Sequence, residues 1–296
     1  MTDGRIRLDG WPGERISDVL AGRLPPVRPR DAATVMLLRP GTPGEGGDPQ
    51  AREEARPQRG GLEVYMLRRK ASMAFAPGAF VFPGGSVDAR DAEQQIAWAG
   101  PEPAEWGATL DAPAELARAL LCAAVRETFE ESGVLLAGGT DESVVVDTTD
   151  ASWEADRLAL LDRSLSLAEL LRRRGLVLRS DLLRPWSRWI TPAVEVHRYD
   201  TRFFAALLPS QQRTRDVGGE ADQVAWVRPD DAIAMARRGE IMLMPPTAVT
   251  LAELAACPDV TAAVTAPRVV RPLQPEVSMA DGVCWLTLPA GLEYPL

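Results

Sequence analysis

A long helix that begins apolar and ends acidic occupies the middle of the sequence. Residues 114–132 are predicted to form this helix, and Gly133 is suited to end it, because glycine readily adopts the left-handed conformation found after helix C-termini. Its early turns carry apolar residues on one face: Leu116, Leu120, Ala123 and Ala124. Three carboxylates continue that face: Glu127, Glu130 and Glu131. We therefore expect the helix to pack on a core at its start and to concentrate negative charge at its end.

The acidic end of this helix indicates a cation site. Glutamates three and four residues apart have Cβ atoms about 5–6 Å apart, so their carboxylates repel one another. A solvated acidic face is the ordinary interpretation. However, these positions continue a core-facing stripe, and the helix dipole disfavours anions near a C-terminus. A sequence that accepts both costs is expected to bind a cation, and carboxylate oxygens favour Mg²⁺ or Mn²⁺, which bridge to substrate phosphates.

Charge and cysteine usage exclude several classes of function. The 296 residues include 33 Lys and Arg against 42 Asp and Glu, a net charge of −9, which offers no basic stripe for nucleic acid. No long uncharged apolar run or signal-peptide pattern is present, so we expect a cytoplasmic protein without a membrane partner. The three cysteines are widely spaced, which indicates neither a disulfide framework nor a zinc knuckle.

Strands and helices are mixed without a strand–helix–strand rhythm, which indicates an α+β fold. Strands are predicted at 32–38, 62–67, 80–82, 189–191, 201–208, 223–227 and 283–288. Further helices are predicted at 152–174, 229–238 and 247–257. Ser166 and Glu169 have the spacing of a capping box, which allows two helices rather than one in the first of these segments. That helical segment is a candidate lid or homodimer face, although its leucines argue equally for simple core packing.

The acidic helix end carries a family resemblance. Arg126-Glu127-Thr128-Phe129-Glu130-Glu131-Ser132-Gly133-Val134 resembles the R-E-u-x-E-E-x-G-u half of the Nudix box, where u is apolar and Thr128 is the departure. Gly84 and Gly85 resemble its opening glycines. The resemblance implies an α/β/α sandwich with a mixed sheet and a hydrolase that cleaves diphosphate bonds with Mg²⁺ or Mn²⁺. It implies Glu127, Glu130, Glu131 and Gly84 as metal ligands, Glu127 also as a possible base, and Arg126 as their organiser.

The box departs from the family pattern by an insertion. Arg126 follows Gly85 by 41 residues, far more than in an uninterrupted box. The family's intermediate glutamate would fall on Arg118, so its role is vacant or has moved to Asp88 or Asp91 in the inserted segment. The interruption itself resembles the acyl-coenzyme A diphosphatases of peroxisomal type and their bacterial relatives. The segments 75–88, 198–204 and 219–222 resemble further landmarks of that branch.

The resemblance also predicts boundaries and substrate contacts. It implies a Nudix domain over 32–255 with insertions at about 41–61, 88–113 and 150–180, an N-terminal arm over 1–31 and a C-terminal extension over 256–296. A later loop is expected to supply a ligand or base, Glu220 first and Asp222 second. Candidates for binding the substrate are Arg68, Arg69, Lys70, Arg198, Arg202 and Phe82. Other aromatic residues, among them Trp189, Phe203, Phe204 and Trp226, could stack on adenine, but core packing is favoured for most.

The predicted substrate is coenzyme A or an acyl-coenzyme A. A coenzyme A signature from a sister branch is matched by Arg69 but not by Lys70 or Ala74. Alternatives are an ADP-ribose or NADH diphosphatase, and a non-catalytic Nudix-like binding protein, which would be expected to have lost one of the three glutamates. A third alternative is a serine hydrolase that uses Ser86 and the single histidine, His197.

Overall fold

The computed structural model describes residues 5–8, 13–41, 61–72, 76–92, 96–215 and 221–296. Its helices are α1 (Gly13–Leu20), α2 (Pro103–Leu110), α3 (Ala114–Ser132), α4 (Ala151–Leu161), α5 (Leu167–Arg174), α6 (Pro229–Arg237), α7 (Pro245–Ala255) and α8 (Val260–Thr265). Its strands are β1 (Arg5–Leu8), β2 (Arg30–Pro40), β3 (Leu62–Arg69), β4 (Ala79–Val81), β5 (Gly84–Ser86), β6 (Trp98–Ala99), β7 (Ala137–Gly138), β8 (Val177–Arg179), β9 (Leu183–Ile190), β10 (Tyr199–Leu207), β11 (Ala221–Val227), β12 (Met242–Leu243), β13 (Pro272–Leu273), β14 (Glu276–Ala280) and β15 (Val283–Thr287). Short 3₁₀ turns occur at Ala89–Ala92 and Ser180–Leu182.

A mixed sheet of nine strands forms the centre of the molecule. Its main order is β12-β4-β3-β2-β10-β9-β13, with β11 paired to β3 and β5 paired to β2. Strands β2 and β10 run parallel, whereas β10 and β9 run antiparallel. One edge of β2 is shared, because its first part pairs with β5 and its last part with β3. This sharing places the short β5 beside the start of β2.

Helices cover both faces of this sheet. Successive residues of β2 point to opposite faces, as in any strand: Val35 and Leu37 join a core that contains α3, whereas Met36 and Leu38 join a core that contains α7. The α/β/α sandwich with a mixed sheet that the resemblance implies is therefore confirmed. None of the helices in the described part of the chain offers the run of apolar residues that a membrane crossing needs.

Several predicted helices and strands match the structure closely, whereas the bounds of others cannot be predicted from the local sequence. The helix predicted over 114–132 is α3, and Gly133 follows it with a φ of 74°. The segment 152–174 is two helices, and Ser166 accepts a hydrogen bond from the Glu169 amide (3.2 Å) in the capping box that begins α5. The strand predicted over 189–191 is wrong in extent, since it is the end of β9, whose arginines and proline obscure its periodicity.

The two ends of the described chain meet in a small sheet. Strand β15 pairs with β14 on one side and with β1 on the other, so that Leu286 lies opposite Val277 and Ile6. Residues from both ends pack on the core that contains α7. A second small sheet, β6-β8-β7, joins the segment inserted before α3 to later parts of the chain. None of the three cysteines, all within the described residues, forms a disulfide.

Candidate active site

A cavity of about 860 Å³ opens where the end of α3 meets the β5 turn. Glu127, Glu130 and Arg126 line it from α3, and residues 84–86 line it from β5. The helix holds this position because its earlier turns are buried in the core, with Ala117, Leu120, Leu121 and Ala124 fully buried. The apolar stripe thus packs in the core and fixes the helix, and the carboxylates of its last turns face the cavity.

Internal hydrogen bonds fix the last turns of α3. The Gly133 amide donates to the Phe129 carbonyl at 2.9 Å. The side chain of Arg157, only 1% exposed, donates to the Glu130 carbonyl at 2.9 Å. Thr128, which departs from the apolar residue of the Nudix box, is buried and donates its hydroxyl to the Ala124 carbonyl at 2.7 Å. That bond satisfies the hydroxyl, so a polar residue is tolerated in an apolar position.

Arg126 lies at the centre of an acidic cluster that contains Glu127, Glu130 and Asp91. Its Nη1 donates to the carboxylates of Glu127 at 2.8 Å and Glu130 at 3.3 Å. Its Nη2 donates to the Ser86 carbonyl at 3.1 Å, which joins the helix to β5. Arg126 therefore lies where an organiser of the glutamates must lie, and that role stays a prediction.

Asp91 completes the cluster from the inserted segment. Its two carboxylate oxygens accept from Nε and Nη2 of Arg126, each at 2.9 Å, in a bidentate pair. Asp91 is 2% exposed, and its Oδ2 also accepts from the Asp88 amide at 2.8 Å. Asp88 instead pairs with Arg90, and hydrogen bonds from Arg90 lower the pKa of Asp88 to about 2. Of the two aspartates considered for the vacant glutamate role, Asp91 is the one that reaches Arg126.

The glycines of β5 make close contacts with the carboxylates. The Gly84 amide donates to Glu131 at 2.8 Å, so the contact of Gly84 with the acidic cluster is through its N–H. A Cβ at position 85 would collide with the Glu127 carboxylate, so a larger residue there would displace that carboxylate. The opening glycines of the box therefore adjoin its glutamates, although Arg126 follows Gly85 by 41 residues.

Burial and mutual repulsion raise the pKa of the two inner glutamates. Desolvation is the main cause for Glu127, whose pKa rises to about 7 against the opposing effect of Arg126, and the nearby Glu130 raises it further. Desolvation likewise raises the pKa of Glu130. Although burial opposes the charge of Arg126, the hydrogen bonds that it donates to Asp91 and the negative charge of Glu127 raise its pKa overall. The cluster thus holds more negative charge than its single central cation neutralises.

The donor set fits a divalent cation. Asp91, Glu127 and Glu130 share Arg126, and Glu131 lies on the neighbouring Gly84 amide. Buried carboxylates in excess of their partners are costly unless protonated or bound to metal. Glu127 pairs with Arg126 and Glu131 accepts from the Gly84 amide, and in the described part of the chain no three acidic, histidine or cysteine side chains are placed to coordinate one ion together. Glu127, Glu130 and Glu131 are the residues that would hold Mg²⁺ or Mn²⁺, and this assignment stays a prediction.

The remaining predicted substrate contacts separate into two groups. Arg69 and Phe82 line the cavity. Arg68 does not, and pairs with Asp222 at 2.7 Å on an exposed part of β3 and β11. Arg198 donates to the Thr191 and Val27 carbonyls, at 3.1 and 2.6 Å. Glu220 lies outside the described residues.

Arg202 illustrates why strand register matters. Its neighbours Thr201 and Phe203 line the cavity, and Arg202, on the opposite face of β10, donates to Asp31 at 2.8 Å. Further arginines, which no sequence pattern indicated, line the cavity instead: Arg30, Arg90 and Arg163. The alternation of faces along β10 could have indicated that Thr201 and Phe203 line the cavity. No local pattern in the sequence indicates this for the three arginines.

The serine-hydrolase alternative lacks its geometry. Ser86 lines the cavity, and its carbonyl accepts from Arg126. His197 is exposed and is not among the cavity-lining residues in the described part of the chain. A serine hydrolase would need these two side chains within hydrogen-bond reach.

Comparisons with known proteins agree with the geometry. Residues 99–254, just over half of the 296-residue chain, match the family model described as the NUDT19 Nudix domain. The acyl-coenzyme A diphosphatase NUDT19 of Xenopus laevis is 26% identical over 232 residues, covering 65% of this chain and 59% of the relative. The human protein of that name is 29% identical over 264 residues, covering 75% of this chain and 67% of the relative. The chain thus spans less than two thirds of the length of the Xenopus relative.

A solved structure supports the same fold. The crystal structure of a NUDIX hydrolase from Alicyclobacillus acidocaldarius is 26% identical and matches with a TM-score of 0.63. The match covers 82% of this chain and 98% of that structure.

Proposed function

Because this chain belongs to the Nudix hydrolase family, we propose that it hydrolyses the diphosphate bond of a nucleoside-diphosphate-linked substrate with Mg²⁺ or Mn²⁺, and that this substrate is coenzyme A or an acyl-coenzyme A. The observation that carries the proposal is the surplus of buried carboxylate charge around Arg126 at the wall of a cavity of about 860 Å³. A cavity of this size accommodates a nucleotide-sized ligand.

The chain's own residues supply positioning and a proton acceptor. A diphosphate repels an attacking water, so its oxygens must be neutralised and the water oriented. A divalent cation held by Glu127, Glu130 and Glu131 would supply the neutralising charge. Arg126 donates to Oε1 of Glu127. Glu127 would accept a proton from the attacking water at its other oxygen, Oε2. Glu220 stays a second candidate base.

Basic side chains around the cavity would bind the other phosphates. Arg30, Arg69, Arg90 and Arg163 line it, and the Arg30 guanidinium lies 5.9 Å from the centre of the Tyr199 ring. Guanidinium groups suit phosphate because their donors match its oxygens in pairs. The relatives named acyl-coenzyme A diphosphatase support the choice of coenzyme A. The cytoplasmic location, the homodimer and the domain boundaries stay predictions.

The proposed function is tested with a panel of diphosphate compounds. The full chain is incubated with coenzyme A, octanoyl-coenzyme A, ADP-ribose or NADH and with Mg²⁺ or Mn²⁺, and the products are identified by mass spectrometry. We expect coenzyme A compounds to give 3′,5′-ADP and a 4′-phosphopantetheine species. Preferred cleavage of ADP-ribose or NADH would overturn the substrate assignment, and binding without cleavage of any compound would favour a non-catalytic role.

A further inference from the structure

The cavity extends far beyond the carboxylates. Its floor crosses four neighbouring strands, β5, β2, β10 and β9. One row of paired residues runs across them from Ser86 to Ala32, Thr201 and Trp189, and all four line the cavity. Because neighbouring strands lie about 4.8 Å apart, three steps carry the floor about 14 Å from the β5 turn to Trp189.

The far end of this floor is walled by the two ends of the chain. Leu8 from β1, Leu286 from β15 and Pro275 line the cavity together with Trp189. We call these four residues the terminal compartment. Connectivity places them together: Leu273 pairs with Trp189, Pro275 follows two residues later, and the next strand, β14, pairs with β15. Trp189 and Leu286 are each only 4% exposed, so this part of the wall is apolar and packed into the core.

The terminal compartment has a different chemistry from the carboxylate end. Its four members are all apolar or aromatic, whereas Arg126, Glu127 and Glu130 line the other end. Two polar residues that follow Trp189 in the chain, Thr191 and Glu195, also line the cavity. Leu8, Pro275 and Leu286 lie outside residues 99–254, so segments beyond the matched domain build most of the compartment. A phosphate or ribose gains nothing from such a wall, but a hydrocarbon chain does.

We propose that the terminal compartment binds the acyl chain of an acyl-coenzyme A, an inference that rests on the proposed function. The arm of coenzyme A between its diphosphate and its sulfur contains about thirteen bonds and spans about 15 Å when extended. This length matches the floor between the β5 turn and Trp189. With the diphosphate at the carboxylates, the thioester reaches Trp189, and the acyl chain continues along Leu8, Pro275 and Leu286. Each buried methylene then strengthens binding by about fourfold.

The test compares two tryptophan variants of one strand. Leu8→Trp fills the compartment, and Ile6→Trp is the matched control, since Ile6 is also half-buried in β1 but does not line the cavity. kcat/KM is measured for coenzyme A, acetyl-coenzyme A and octanoyl-coenzyme A. We expect Leu8→Trp to lower kcat/KM for octanoyl-coenzyme A at least about tenfold, the equivalent of two or three methylenes. The kcat/KM for coenzyme A should change by less than about twofold in either variant, because coenzyme A has no acyl chain that could contact the compartment.

Each remaining outcome has a defined meaning. If Leu8→Trp is folded and the ratio of octanoyl-coenzyme A to coenzyme A cleavage is unchanged, the acyl site is wrong while the proposed function stands. If the wild-type chain cleaves no coenzyme A compound, the proposed function fails and the acyl site fails with it. Should Leu8→Trp not fold, Leu8→Ala replaces it, and we expect a loss of about fourfold or more for octanoyl-coenzyme A alone.

Discussion

The two ends of the cavity are built in opposite ways. At the carboxylate end, one helix turn supplies Arg126, Glu127 and Glu130, and the charge there exceeds what its partners neutralise. At the other end, single apolar residues come from β1, β9, β15 and the segment before β14. The residues of the carboxylate end are close together in sequence, and the repulsion between their charges destabilises the fold. The residues of the apolar end are brought together only by the tertiary structure, and their burial stabilises the fold. Substitutions at the two ends should therefore affect different properties, turnover at one and substrate choice at the other.

The largest effect is expected for Glu130→Gln at the carboxylate end. This substitution removes one ligand charge while keeping the shape of a side chain whose pKa burial raises. Steady-state turnover with Mg²⁺ should fall by about 10² to 10⁴, since a metal site supplies several kcal/mol of transition-state stabilisation. Glu115→Gln, in the exposed first turn of the same helix, is the control and should keep normal activity. Equal activity in both variants would show that the charged end is not the catalytic end.

A smaller effect is expected when the insertion loses its contact with Arg126. Asp91→Ala removes a buried bidentate partner and should lower turnover about 10- to 100-fold, as removal of residues behind a metal site does. It should also lower the free energy of unfolding by about 2–4 kcal/mol. Asp88→Ala is the comparison, because the arginines with which Asp88 pairs among the described residues are exposed or half-buried. Kinetics and denaturant unfolding that fail to separate the two variants would contradict a positioning role for Asp91.

The charge surplus also predicts how stability depends on pH. A carboxyl whose folded-state pKa exceeds its ordinary value stabilises the fold at low pH, and this contribution is lost as pH rises through the folded-state pKa. For Glu127 that pKa is about 7 against an ordinary 4.5. Without metal, the free energy of unfolding should fall between pH 5 and pH 8 by on the order of 1–3 kcal/mol. Glu130 acts in the same direction, so Glu127→Gln should reduce this slope rather than abolish it.

Urea titrations in a chelator from pH 5 to 8 measure this slope. Added Mn²⁺ should restore stability at the upper end of the range by binding the ionised carboxylates. A wild-type slope that Glu127→Gln leaves unchanged would remove Glu127 as its source.

The smallest expected effect is a change in KM that distinguishes Arg69 from its neighbour Arg68 on β3. Arg69 lines the cavity, whereas Arg68 pairs with Asp222 on the exposed surface. Arg69→Ala should raise KM by about tenfold if it binds a substrate phosphate, and Arg68→Ala should change KM by less than about twofold. A larger effect from Arg68 than from Arg69 would show that the substrate approaches along a different face.

Sequence predicted the local features of the carboxylate end and missed those that require register or long-range contact. The bounds of α3 and its end at Gly133 follow from helix propensity and capping, which act over a few residues. Asp91 could be proposed but not chosen, because its contact with Arg126 spans 35 residues. Arg202 was placed among substrate contacts because its charge is visible in sequence, while the face of β10 on which it lies is not. The terminal sheet joins residues from opposite ends of the chain, beyond any local pattern.

The central claim is that Glu127, Glu130 and Glu131 hold a divalent cation, and Mn²⁺ binding tests it most directly. Mn²⁺ is titrated into the full chain and into a folded Glu127→Gln/Glu130→Gln variant, and free Mn²⁺ is measured by electron paramagnetic resonance. The account predicts saturable binding to the wild-type chain and affinity at least about tenfold weaker in the variant. Equal binding by both proteins, or no saturable binding by the wild-type chain, would contradict it.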